Sequence, residues 1–204
     1  MNKKTSASLD IPYNGEFIVG VDEAGRGALA GDVIAAAVIL DPQQPIDNLD
    51  DSKKLSNKKR EVLYREINAK ALDVGIGRAN VEEIEELNIL NASMLAMKRA
   101  VKSLSTNIEY ILVDGNKIPN WEYPSLAVIN GDSIIPCISA ASIVAKVYRD
   151  MEMCKLSNKY PSYGFEKHKG YPTRQHKEIL LSCGITEFHR KTYYPVKKII
   201  DKIC

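Results

Sequence analysis

Four acidic residues, Asp22, Glu23, Asp114 and Asp132, each follow a short apolar run of the sequence. Carboxylates that lie close together raise one another's pKa unless a cation neutralises them. A ligand set of carboxylate oxygens without histidine or cysteine favours Mg²⁺ or Mn²⁺ over zinc. One or two such ions can activate water and stabilise the leaving oxygen during phosphodiester hydrolysis, so the four acids predict metal-dependent chemistry of that kind.

Three apolar runs would bring these acids to one edge of a sheet. Residues 17–21 stop at Asp22 and Glu23, and the runs 108–113 and 126–129 each lead to an aspartate next to a glycine. Side chains alternate between the faces of a strand, so both members of the acid pair can serve one site only if the first strand ends there. The glycine-rich turn that follows permits such an ending.

Hydrophobic periodicity places these runs in a mixed α/β sheet. Strands over 17–21, 33–40 and 72–79 would form an antiparallel start, followed by strand–helix–strand units. The predicted helices cover residues 56–70, 81–87, 88–104, 134–157, 173–182 and 195–203. Ser56 would cap the first of them. The fourth would lie close against the sheet because it carries the small residues Ser139, Ala140, Ala141, Ser142 and Ala145. Residues 1–15 are polar and expected to be frayed, and 16–204 are predicted to form one domain that includes a basic C-terminal segment, 159–204.

The glycines after the acid pair have two simpler interpretations. A dinucleotide-binding loop needs G-x-G-x-x-G before a helix, whereas Gly25, Gly27 and Gly31 give a longer spacing before a β-branched run. Spacing and context both argue against that loop. A surface turn with solvated charges stays open as an interpretation of this segment alone.

Length and composition limit the classes of protein to which this chain can belong. The chain has 204 residues, 45% hydrophobic and 26% charged, which is typical of one globular domain. No run approaches the roughly 18 apolar residues of a membrane span, and the N-terminus lacks the apolar core of a signal peptide, so we expect a cytoplasmic protein. The four cysteines and three histidines lack the spacing of a disulfide framework or a zinc site.

The C-terminal segment is basic, although the whole chain carries a net charge of only +2. Between Lys159 and Lys198, nine lysines and arginines stand against three acids, with tyrosines interleaved. Such a segment suits contact with a phosphate backbone and exposed sugars or bases. A solvated helical face is the alternative, and charge alone favours it.

Motifs spread along the chain resemble the type 2 ribonuclease H family (bacterial ribonuclease HII). In order, they are VDEAGRG with LAG, DSKKL, VDGN, GDS followed by SAASIVAKVYRD, and HKGYPT. The resemblance runs from about residue 17 to the C-terminus. It implies a ribonuclease-H-like fold, a five-stranded mixed β-sheet flanked by helices with a small helical C-terminal extension.

The resemblance also implies an activity. Members cut RNA paired with DNA in a reaction that depends on Mg²⁺ or Mn²⁺, and they incise on the 5′ side of single ribonucleotides in duplex DNA, leaving 3′-hydroxyl and 5′-phosphate ends. The implied partners are RNA–DNA hybrids and ribonucleotide-containing DNA. We expect a monomer without membrane contact, and a sliding-clamp contact has no signal in the sequence.

Carried over residue by residue, the resemblance assigns roles in this chain. The metal-binding and catalytic acids would be Asp22, Glu23, Asp114 and Asp132. Backbone groups of a turn would read the 2′-hydroxyl, an aromatic ring would pack on the neighbouring sugar, and further polar side chains would contact substrate. These residues are Gly25, Arg26 and Gly27 for the turn, Tyr171 for the ring, and Ser52, Lys53, Lys146 and Lys169 for the other contacts. Asp150 lies four residues after Lys146 and is interpreted as its ion-pair partner instead of a fifth catalytic acid.

Two residues depart from the family pattern. Ala28 stands where proline is frequent and would loosen the turn, and Asp32 stands where proline or a small neutral residue is usual and would add negative charge near the site. Two other functions are alternatives: a catalytically silent nucleic-acid-binding module, and a nuclease that acts on DNA alone. The intact acids argue against the first, and the Gly-Arg-Gly turn argues against the second.

Overall fold

A five-stranded mixed sheet forms the centre of the computed structural model, which describes Gly15 and residues 17–203, without the side chains of 202 and 203. The strands are β1 (Ile18–Ala24), β2 (Val33–Ile39), β3 (Asp73–Ala79), β4 (Tyr110–Asp114) and β5 (Ser125–Val128). They lie in the order β3-β2-β1-β4-β5. Strand β2 pairs antiparallel with β1 and β3, and β4 pairs parallel with β1 and β5. The predicted sheet is confirmed. The prediction of a frayed N-terminus falls almost wholly outside the described residues.

Strand β1 continues through the acid pair instead of ending before it. Asp22 pairs with Ala36 and Glu23 with Ala35, and the antiparallel ladder with β2 extends to Ala24. The expectation that the strand stops at Asp22 is wrong because this ladder supplies main-chain partners beyond that point. Successive side chains leave a strand on opposite faces, so β1 alone does not aim both acids at one point.

Six helices flank the sheet in the described part of the chain. They are α1 (Asn57–Lys70), α2 (Val81–Lys102), α3 (Pro136–Lys159), α4 (Phe165–His168), α5 (Arg174–Cys183) and α6 (Val196–Ile203). Ser56 caps α1 as predicted, since its side chain accepts a hydrogen bond from the N–H of Lys59. Asn88, with φ of 65°, breaks the helical path of α2 at the point where two separate helices were predicted.

Helix α3 lies against the sheet closely enough to bring functional side chains to the edge of β1. A Cβ on Gly20 would lie 2.1 Å from the main-chain carbon of Cys137, so only glycine permits this approach. Small side chains of α3, including Ala140, Ala141 and Ala145, are buried against β2 and α1. The predicted close packing of this helix is confirmed.

The opposite face of the sheet is covered by α2, whose Ala96, Met97 and Ala100 join the largest apolar cluster. Helices α5 and α6 pack instead on Leu29 in the loop between β1 and β2, forming the small helical C-terminal extension that was expected. Among the described residues, none of the helices has both the length and the apolar character needed to cross a membrane.

Candidate active site

Three of the four predicted acids meet at one edge of the sheet. Asp22 lies on β1 and Asp114 ends the parallel strand β4, so the two come out at the same edge, and Asp132 lies in the short 3-10 turn Gly131–Ser133 after β5. One carboxylate oxygen of each lies within 4.8 Å of the others. The N–H of Asp132 also donates to Oδ1 of Asp114 at 3.2 Å, which fixes the turn to the strand end.

Two members of the triad are buried, and the third, Asp114, is half-buried. Asp22 and Asp132 are each only 5% exposed. Burial, and then the charges of Glu23 and Asp114, raise the pKa of Asp22 well above its ordinary value. Burial also raises the pKa of Asp114, although the hydrogen bond from Asp132 opposes the change. Three crowded carboxylates without histidine or cysteine fit a hard divalent cation.

Glu23 stands beside the triad but is engaged elsewhere. Its Oε1 accepts a hydrogen bond from Nη1 of Arg26 at 3.0 Å. Burial raises the pKa of Glu23, and the Arg26 charge opposes this shift. The structure thus brings three predicted ligands together and leaves the fourth next to them, so Glu23 as a metal ligand stays a prediction.

A cavity of about 550 Å³ opens in front of the acids. It is lined by residues from the end of β1, from the loop that joins β1 to β2 (residues 25–32, here called the signature turn), from the DSKKL segment, from helix α3 and from the HKGY loop. Its lining consists of Asp22, Glu23, Ala24, Gly25, Arg26, Gly27, Ser52, Lys53, Asp114, Ser142, Lys146 and Tyr171. Every predicted site residue except Lys169 and Asp132 lines this cavity, and Asp132 belongs to the acidic triad beside it.

The DSKKL segment is fixed to the triad and to α3. Nζ of Lys53 lies 3.2 Å from Oδ2 of Asp132, and the hydroxyl of Ser142 donates to that of the buried Ser52 at 2.9 Å. The cation of Lys53 therefore offsets part of the negative charge of the triad. The sequence indicated Ser142 only as a small residue for close packing, whereas in the structure it contacts this segment from a buried position of α3.

Lys169 is the predicted substrate contact that the structure places elsewhere. Its Nζ lies 2.8 Å from Sγ of Cys154, and Lys169 lines a different cavity from that of the acids. The main-chain carbonyl of Lys169, in contrast, binds Arg149. Asp150 forms the predicted ion pair with Lys146, whose Nζ donates to its Oδ1 at 2.7 Å.

Tyr171 is anchored by a chain of buried histidines. The N–H of Thr186 donates to Nδ1 of His189 at 2.9 Å, so the proton of a neutral His189 lies on Nε2. That nitrogen lies 3.1 Å from Nε2 of His176, which must accept, and Nδ1 of His176 then donates to the carbonyl of Tyr171 at 3.0 Å. Burial lowers the pKa of His176 and of His189 to about 4, so both are neutral at neutral pH.

Two buried arginines, Arg149 and Arg190, donate hydrogen bonds to main-chain carbonyls of the signature turn. Arg190 donates to the carbonyl of Gly31 from Nε and Nη2 and to that of Arg26 from Nη1 at 2.8 Å. It was counted with the basic surface, where an arginine in a lysine-rich segment carries no signal of burial. Arg149 follows buried Ile138, Ser142 and Ala145 at helical spacing, and that periodicity is the signal that could have shown its burial.

The basic segment is less free than its sequence suggests. Arg190 is fully buried, Lys159 pairs with Glu187, and Arg174 pairs with Glu178. The six net positive charges therefore overstate the charge that the surface offers to a phosphate backbone.

The two departures from the family pattern have specific surroundings. Ala28 is fully buried, and its N–H donates to the carbonyl of Gly25 at 3.3 Å, a bond that proline cannot make. The turn is thus hydrogen-bonded where we expected it to be looser. Asp32 lies 3.7 Å from Arg78 beside a different cavity, so its charge is balanced there and is not added to the acid cavity.

Known proteins match this chain over nearly its whole length. The family model described as ribonuclease HII matches residues 19–196. Ribonuclease HII of Marinomonas sp. (strain MWYL1) is 60% identical over 190 residues, covering 93% of this chain and 96% of the relative. That of Shewanella loihica (strain ATCC BAA-1088 / PV-4) is 57% identical over 188 residues, covering 91% and 90%.

Solved structures agree with these sequence matches. Ribonuclease H2 of Pyrococcus horikoshii OT3 has a TM-score of 0.75 at 27% identity, covering 91% of this chain and 97% of that one. The ribonuclease HII solved as a complex with PCNA from Archaeoglobus fulgidus has a TM-score of 0.69 at 25% identity, covering 87% and 95%. The chain therefore belongs to the ribonuclease HII family and is a hydrolase of the endoribonuclease H class.

Proposed function

We propose that the chain hydrolyses the RNA strand of RNA–DNA hybrids and also incises duplex DNA on the 5′ side of a single embedded ribonucleotide, leaving 3′-hydroxyl and 5′-phosphate ends. One observation carries the proposal: Asp22 and Asp114 of the acidic triad line the same cavity as the Gly-Arg-Gly turn and Tyr171. Groups for cutting a phosphodiester and groups for testing a sugar are thus within reach of one nucleotide step. We propose the cytoplasm, where such duplexes occur, as its location.

The donor set fits Mn²⁺ or Mg²⁺, which Asp22, Asp114 and Asp132 would hold, with Glu23 as the fourth ligand. When bound, the ion would activate water and stabilise charge on the phosphate oxygens. Lys53 and Lys146 line the same cavity and would attract the phosphates on either side of the cut. Buried carboxylates with raised pKa values would take up the cation readily, because it relieves their mutual repulsion.

The turn and the tyrosine would choose the nucleotide. Gly27 is exposed, and a Cβ placed there would meet nothing within 4 Å, so its backbone is open to a 2′-hydroxyl. Two cations contact the Tyr171 ring: Nζ of Lys146 lies 5.5 Å from its centroid and the guanidinium carbon of Arg149 lies 5.2 Å from it. A fixed aromatic face packs well on a deoxyribose and less well beside an added hydroxyl. The pair would therefore favour an RNA-to-DNA step.

The test is incubation with an end-labelled DNA duplex that contains one ribonucleotide, with and without Mn²⁺ or Mg²⁺. We expect a single cut on the 5′ side of the ribonucleotide that requires the metal. The same duplex made only of DNA, and the Asp22→Asn protein, are the controls and should give no product. Cutting of the all-DNA duplex would replace the proposal with a general nuclease, and cutting of long hybrids alone would remove the single-ribonucleotide activity.

We propose that nucleic acid is the main partner and that the protein acts as a monomer. The archaeal relative solved with PCNA supports a second proposal, that a sliding clamp recruits this chain. Size-exclusion chromatography, alone and with a purified clamp, tests both statements. A dimer peak would contradict the first, and an unchanged elution volume with the clamp would contradict the second.

A further inference from the structure

Arg149 is a buried cation whose side chain donates hydrogen bonds to three main-chain carbonyls. Its side chain is 1% exposed. Nε donates to the carbonyl of Asp32 at 3.2 Å, Nη2 to that of Ala30 at 3.2 Å, and Nη1 to that of Lys169 at 3.0 Å. Removing a charge from water is costly unless hydrogen bonds replace the lost hydration, and here three carbonyls from two irregular segments of backbone supply the acceptors.

These acceptors belong to two separate walls of the active-site cavity. Ala30 and Asp32 end the signature turn, whereas Lys169 belongs to the loop that carries Tyr171. The guanidinium also lies under both sensing elements: a Cβ on Gly25 would be 2.1 Å from its Nε, and its carbon is 5.2 Å from the centroid of the Tyr171 ring. A second tie between the walls, from the N–H of Leu29 to the carbonyl of Gly170, is an ordinary main-chain bond of 2.8 Å.

An arginine side chain is suited to connect the two walls. A planar guanidinium presents its donors in a fixed fork, so acceptors bound to it keep a set spacing and direction. Lysine has the charge but only one nitrogen on a flexible stem, and it cannot bind carbonyls of two walls in the same geometry. Because Arg149 is buried, direct contact with substrate is excluded, and any effect on the reaction must pass through the walls.

We propose that Arg149 is a positioning residue that sets the spacing between the Gly-Arg-Gly turn and Tyr171, and thereby determines the preference for a single ribonucleotide over a uniform hybrid. The inference rests on the proposed function. A uniform hybrid offers a 2′-hydroxyl at every step, so a loosened cavity still finds cleavable positions. A lone ribonucleotide offers one position, at which both walls must fit at once.

The test compares the parent protein with Arg149→Lys. For each, kcat and KM are measured on a single-ribonucleotide duplex and on a uniform hybrid of the same length, and melting is followed with and without Mn²⁺. We expect kcat/KM on the single-ribonucleotide duplex to fall about tenfold or more relative to the hybrid, chiefly through kcat, because small misplacements cost large factors in rate. The Mn²⁺-dependent rise in melting temperature should stay as in the parent, since the triad is untouched.

Arg78→Lys is the matched control. Arg78 pairs with the side chains of Asp32 and Glu152, whereas Arg149 binds the carbonyl of Asp32. Arg78→Lys therefore tests the loss of a guanidinium next to the turn without removing a bond that joins the two walls. Its substrate ratio should equal that of the parent. An equal loss on both substrates in Arg149→Lys, or an unchanged ratio, would show that Arg149 only stabilises the fold and would overturn the inference.

Further outcomes separate this inference from the proposed function. If the parent does not cut the single-ribonucleotide duplex, the proposed function fails first. If Arg149→Lys does not melt cooperatively, Arg149→Gln is measured in the same way, because its neutral amide avoids an unsatisfied buried charge. Should neither variant fold, the role of Arg149 is structural and the inference is overturned.

Discussion

Replacing Asp22 with asparagine should stabilise the metal-free protein while removing its activity. Asp22 is 5% exposed, and one of its oxygens lies within 4.8 Å of oxygens of Asp114 and Asp132. Two unit charges at about 5 Å repel by about 3 kcal/mol at an effective dielectric constant of about 20. Lys53 and the raised pKa of Asp22 relieve part of this repulsion, so we expect a gain of about 1–3 kcal/mol in the free energy of unfolding.

Asparagine suits this test because it is isosteric and keeps an acceptor oxygen. The N–H of Glu23 donates to Oδ1 of Asp22 at 2.7 Å, and the amide oxygen can accept the same bond. For a domain of this size, about 1 kcal/mol shifts the melting temperature by about 2–4 °C. In EDTA, the melting temperature of Asp22→Asn should therefore exceed that of the parent by several degrees.

Adding Mn²⁺ should reverse the order. An ion at about 100 times its dissociation constant stabilises the folded parent by about 2.7 kcal/mol, whereas the variant has lost one ligand charge and should gain less. Asp47→Asn, which removes an exposed carboxylate that is neither in the triad nor in the lining of its cavity, is the control and should change stability by no more than about 0.5 kcal/mol. A lower melting temperature of Asp22→Asn in EDTA, an equal gain with Mn²⁺, or cutting at the parent's rate would refute the reasoning.

Three further predictions concern the walls of the site and the basic surface. Tyr171→Ala should lose at least about tenfold in activity on a single-ribonucleotide duplex while keeping the Mn²⁺-dependent rise in melting temperature; full activity would contradict its proposed role. Lys167→Ala should weaken binding to all duplexes alike and flatten the salt dependence, and the same change at Lys169 should have less effect because its Nζ lies against Cys154; equal salt slopes would contradict this. His176 and His189 have folded pKa values of about 4 and bind protons near 6.5 when unfolded, so stability should fall as the pH drops from about 6.5 towards 4. Urea unfolding should show up to about 2 kcal/mol of loss for each histidine after solvent screening, and a flat profile would contradict it.

Much of the fold can be predicted from residues that lie close together in the sequence. The Ser56 cap, the break at Asn88 and the small-residue face of α3 each depend on residues a few positions apart, and all three are found in the structure. The acids at strand ends were also visible, because parallel strands bring their carboxyl ends to one edge of a sheet. The length of β1 was misjudged because its ladder depends on β2, a partner that local alternation does not describe.

The parts of the site that sequence missed depend on long-range contacts. Nothing adjacent to Lys169 in the sequence indicates that its side chain faces Cys154 while its carbonyl faces Arg149. The histidines that anchor Tyr171 have no ligand-like spacing, and they meet only because α5 brings His176 to His189. Charge counting likewise could not distinguish buried Arg190 from the surface lysines that surround it.

The buried arginines supply hydrogen-bond donors that the loops next to the acidic site need. Acids at strand ends must be followed by loops, and the loops here are buried, so their carbonyls lack partners from a β-ladder. A buried carbonyl without a partner costs about 1–3 kcal/mol, and a guanidinium satisfies several at once with a fixed geometry. Arg149 reaches the turn from α3, and Arg190 reaches it from the C-terminal segment. The geometry of the cleavage site and the packing of the C-terminal helices are therefore coupled, and loosening α5 or α6 should release the carbonyl of Arg26 before it disturbs the sheet.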